Sequence, residues 1–186
     1  MGDLLKAFGI TIAFVVPGAL MLLIGAFGSE NVLQGLRFLG SDDMASVGPI
    51  ILLIISIALG LTVHVAAWLL YEVMMVPFWY GLLGEKQLPM DFERAFASEH
   101  GLKAFNYINE QTYRYHQFFG SLSIVAFALT IVTVEINPTP TNIGFWSFCL
   151  GLLLGIASIK MMLNNHRALG AVFPLSEKEN RDPEGG

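Results

Sequence analysis

With 186 residues, a 13% charged share, 54% hydrophobic residues and a mean hydropathy of +0.62, the chain has too few polar side chains to clothe a soluble domain. Such domains are roughly 25% charged. A net charge of −5 and a pI of 5.3 leave no cationic footprint for nucleic acid, and a lone Cys149 excludes an internal disulfide and Cys-rich metal motifs. The composition is that of an all-α, polytopic membrane protein.

Four uncharged stretches meet the length of roughly 17–25 apolar residues that a bilayer asks of a helix. In chain order they are Ala7–Phe27, Gly48–Tyr71, Phe118–Val134 and Ile143–Ile159. The first is too long for the apolar core of a secretory signal and reads as a retained span. Near its middle, Pro17 withholds an N–H from the carbonyl of Ala13, so Pro17-Gly18 is a predicted kink that serves packing or gating.

The second stretch holds His64, the one imidazole at membrane depth. It shares a helical face with Gly60, Trp68 and Tyr71, and Glu72 lies one or two turns further on. An ionisable residue inside a span faces protein or water rather than lipid. His64 and Glu72 are therefore a candidate intramembrane polar site. The competing expectation is a neutral His64 bonded to Ser123 or Thr130, with Glu72 solvated at the boundary. Pro77 and Gly81 then predict a break and a short interfacial piece before Leu83.

Between the second and third stretches, two helical periodicities run through Gly84–Gln117, with Gly101 predicted to separate them. Tyr107, Tyr113, Arg114, Tyr115 and His116 give this segment residue types that suit either a protein interface or a headgroup-contacting helix. Its histidines and carboxylates match no metal-ligand spacing, and neither a metal nor another cofactor is expected. The last stretch carries Gly144, Ser147, Gly151, Gly155 and Ser158 on one narrow stripe, including a GxxxG pair. Such a stripe lets backbones approach closely; the partner helix lies in the same chain or in another subunit. The tail from Ser176 is polar and expected to be disordered.

Basic residues set the orientation. Lys6, then Lys86, Arg94, Lys103 and Arg114, then Lys160, Arg167, Lys178 and Arg181 fall on one side of a four-span chain, and Arg37 alone falls on the other. Both termini and the 84–117 segment are thus expected in the cytoplasm. The organisation follows: a first transmembrane pair with its interfacial piece (1–83), cytoplasmic amphipathic helices (84–117), a second transmembrane pair (118–163) and a cytoplasmic tail (164–186). The function expected is that of a non-enzymatic, homo-oligomeric anchor or sensor subunit of a bacterial inner membrane, engaging a cytosolic partner through 84–117. The alternative is a small oligomeric ion channel or proton-responsive transporter subunit.

Overall fold

The computed structural model describes residues 2–83, 92–136 and 142–174, and over these the chain is helical apart from short connections. The elements are α1 (Gly2–Gly28), α2 (Glu30–Leu39), a single 3-10 turn (Asp42–Met44), α3 (Gly48–Trp68), a π-helical turn (Leu69–Met75), α4 (Val76–Leu83), α5 (Phe92–Phe96), α6 (Glu99–Ile136) and α7 (Asn142–Val172). The segment from Ser176, and residues 84–91 of the predicted cytoplasmic segment, lie outside the described residues.

Three helical runs are long and apolar enough to cross a membrane: Gly48–Leu82, Glu99–Ile136 and Asn142–Val172. The described apolar part of the first helix, Ala13–Gly28, is shorter. At 1.5 Å per residue, the 38 residues of α6 extend about 57 Å, against a hydrocarbon thickness of about 30 Å. Roughly half of α6 therefore projects beyond any bilayer it crosses.

The predicted break at Pro77 is absent. Helix continues from α3 into α4 through the π-helical turn, where the N–H of Val76 bonds the carbonyl of Tyr71, five residues back. This widened turn restarts the α-register at Val76, so Pro77 falls in the first turn of α4, where a helix tolerates proline. Gly101 does not separate two helices either. The break lies at Ala97-Ser98, and Ser98 Oγ accepts the backbone N–H of Gly101 at 3.0 Å, which caps α6. Nor does the tail begin as loop, because α7 runs on to Val172.

The most extensive helix pairing is α6 with α7, and the next is α1 with α3. The second depends on missing side chains. A Cβ on Gly18 would overlap the Ser56 carbonyl, and one on Gly60 would overlap the Phe14 carbonyl. Backbone meets backbone at both points. Pro17 is buried inside an unbroken α1, so the Pro17-Gly18 pair works here as a contact surface.

Three apolar clusters fill the bundle. Ile24, Val63 and Val125 join α1, α3 and α6. Ala67, Tyr71, Val76 and Tyr80 meet Ile159, Met162 and Leu163 of α7. Ala95, Leu169 and Phe173 close the projecting end against Phe105 and Ile108.

Candidate functional site

The α6–α7 seam is polar at fixed intervals. Thr130, Ser123, His116 and Asn109 stand seven residues apart on α6, and Gly144, Gly151, Ser158 and Asn165 stand seven apart on α7. Because the helices are antiparallel, these residues pair as four rungs. Thr130 Oγ1 donates to the Gly144 carbonyl at 3.5 Å and Ser123 Oγ to the Gly151 carbonyl at 2.6 Å. His116 Nδ1 lies 3.0 Å from the Ser158 carbonyl, and Asn165 Nδ2 donates to Asn109 Oδ1 at 3.3 Å. A seven-residue repeat keeps one seam facing its partner along both helices.

The small-residue stripe supplies the α7 side of this seam. Gly144, Ser147, Gly151, Gly155 and Ser158 are all buried. A Cβ on Gly151 would lie 2.8 Å from the Phe127 ring, and one on Gly155 would lie 2.7 Å from the Tyr71 hydroxyl. The partner of the stripe is thus in the same chain, and the stripe has no free face left for a second copy.

At the third rung the seam meets the π-helical turn. His116 Nε2 approaches Glu72 Oε1 at 3.3 Å, an ion-pair contact between side chains that are 3% and 16% exposed. Trp68 Nε1 donates to Glu72 Oε2 at 2.7 Å, and the Tyr113 hydroxyl also faces the carboxylate. On the other side of the imidazole, Ser158 Oγ lies 2.8 Å from Nδ1 and donates to the His116 carbonyl at 3.0 Å. With Ser158 donating to that carbonyl, a hydrogen on Nδ1 serves the Ser158 carbonyl and one on Nε2 serves Glu72. One turn away, Tyr71 donates to Ser123 at 2.6 Å, and Ser123 passes its own hydrogen to Gly151. Both links tie α3 and its π-helical turn to α6 and α7.

Glu72 is therefore not a solvated boundary carboxylate. Its partner is His116, which burial removes from the predicted interface set. Of that set, Tyr113 is half-buried beside Glu72, Arg114 is exposed and pairs with Glu110 at 3.3 Å, and Tyr107 and Tyr115 are exposed. His64 joins neither Glu72 nor Ser123 or Thr130. Its ring stands edge-on to Phe14 of α1, with centroids 5.3 Å apart and planes at 88°. Ser123 is taken by Tyr71, and Thr130 bonds the carbonyls of Ala126 and Gly144.

Sequence reasoning missed Asn109, Ser123 and Asn165 as seam residues and His116 as the partner of Glu72. A signal was present: Glu72, His116 and Ser158 each lie within two residues of the cytoplasmic end of a predicted span, and so at one depth.

The fold and site define an all-α protein with three helices long and apolar enough to cross a membrane. No family model, curated protein or solved structure matches the chain.

Proposed function

We propose that the chain is a non-enzymatic four-span protein of the inner membrane, with both termini in the cytoplasm, that acts as an anchor or sensor subunit for a cytosolic protein. The observation that carries this reading is the continuity of α6. Its membrane-facing half is latched to the π-helical turn through His116, and its projecting half exposes Tyr107 (66%) and Tyr115 (52%). A displacement at the latch is thereby transmitted along one rigid helix to a surface whose residue types suit protein contacts.

Glu72, His116 and Ser158 form a carboxylate–imidazole–hydroxyl series, which invites comparison with a nucleophilic triad. Burial argues against that use: Ser158 has no exposed surface, and its hydrogen is committed to the His116 carbonyl.

The test is site-specific photo-cross-linking in native membranes. Probes at Tyr107 and Tyr115 should capture one and the same soluble protein, while a probe at the outward-facing Leu153 should capture lipid. Absence of a protein adduct at both tyrosines would remove this reading. The Glu72–His116 pair also favours a second one, a proton-responsive transporter subunit, because single π-helical turns recur at functional sites. Proton flux into liposomes that is lost in Glu72→Gln would select it.

A further inference from the structure

A groove of about 270 Å³ opens between α4 and α7 on the outside of the bundle. Trp79, Ile156, Ile159 and Leu163 line its apolar part, and Lys160, Asn164 and Arg167 line the rest. Ile156, Lys160, Leu163 and Arg167 follow one another at i, i+4, i+7 and i+11, so they form a single column on α7. Lys160 and Arg167 are about 10.5 Å apart along the helix axis, a distance that two long side chains close over one phosphate. Lys160 directly follows the apolar stretch that ends at Ile159. The column thus changes from hydrocarbon-like to cationic at the depth where lipid headgroups lie. No acidic residue lines the groove.

We propose that this groove binds an anionic phospholipid, its phosphate between Lys160 and Arg167 and the start of an acyl chain against Trp79 and Ile156. Charge selects the lipid class. Two cations with no lining carboxylate favour a headgroup of net negative charge and gain nothing from the quaternary amine of phosphatidylcholine. Basic pockets between helices on the cytoplasmic side are suited to such headgroups. The inference rests on the membrane placement of α7 and is independent of any protein partner.

Native mass spectrometry of the full chain, purified in detergent with equimolar phosphatidylglycerol and phosphatidylcholine, tests it. The wild type should retain phosphatidylglycerol preferentially, and inorganic phosphate should not displace it. Lys160→Gln and Arg167→Gln should each lower retention about fivefold, the worth of one basic side chain beside an anionic surface. Ile156→Trp, which fills the apolar floor and keeps both charges, should lower it too. Lys103→Gln, which removes a charge from the exposed pair with Glu99, should not. Equal retention of the two lipids, or undiminished phosphatidylglycerol in the Lys160→Gln/Arg167→Gln variant, would overturn the proposal. A dimer that disappears in that variant would assign the groove to a second copy instead. A chain that fractionates as soluble would defeat the membrane placement itself, which the lipid comparison alone would not.

Discussion

Glu72 and His116, 44 residues apart in sequence, meet at 3.3 Å where the π-helical turn crosses α6. Neither side chain has much access to water, so each depends on the other. Removing one partner of a buried pair leaves an uncompensated charge, at a cost of about 3–5 kcal/mol. His116→Leu should therefore lower unfolding stability in detergent by an amount of that order. The double variant Glu72→Gln/His116→Leu should recover part of the loss, with a coupling of about 0.5–3 kcal/mol. Strict additivity of the two single variants would show that the contact contributes nothing.

The Gly155 position offers a sharper steric test. An added methyl group would lie 2.7 Å from the Tyr71 hydroxyl and 3.3 Å from Ser123 Oγ, in the middle of the Tyr71–Ser123–Gly151 chain. Gly155→Ala should cost about 1–3 kcal/mol through overpacking. Gly35 and Gly81 have open space where the methyl would go, so alanine there should be neutral or stabilising by up to about 1 kcal/mol. Thermal unfolding of the three variants side by side separates packing from helix propensity.

How much of this was legible follows from what each signal encodes. Hydropathy marks the apolar runs, because burying a span in lipid needs only composition and length. The stripe on α7 was legible for the same reason, as a periodicity within one helix. Its partner was not, because register between two helices is set by both faces together, and in sequence Asn109, His116, Ser123 and Thr130 look like isolated polar residues. Pro77 misleads because a local rule predicts a break, whereas one widened turn absorbs the missing N–H without ending the helix. Gly101 misleads likewise, since an exposed glycine in the first turn of a long helix is tolerated when a serine caps it.

Topology is open to direct measurement. Reporter fusions at Gly84 and at the C-terminus should report the cytoplasm, and fusions at Ser41 and Pro140 the opposite side. A cytoplasmic signal at Pro140 would exclude the arrangement of four spans, and a cytoplasmic signal at Ser41 would remove the first helix from the count.

The last prediction sets the two histidines of the bundle against each other. Both look alike in sequence, each an imidazole in or beside an apolar stretch. In the fold His64 makes an edge-on contact with Phe14, and among the described residues no hydrogen bond is made to its ring. Leucine at that position gives up an aromatic contact worth about 0.5–1.5 kcal/mol and recovers part of it as apolar packing. His64→Leu should thus change stability by less than about 1 kcal/mol, and His64→Gln should be no better tolerated, because no polar partner waits for the amide. At His116 the order reverses: glutamine keeps a donor for Glu72 or for the Ser158 carbonyl and should be the milder change, and leucine the severe one. Unfolding curves for the four variants in one detergent decide the matter. A severe loss in His64→Leu with a mild one in His116→Leu would show that the polar centre of the bundle lies at His64 and not at the Glu72–His116 latch.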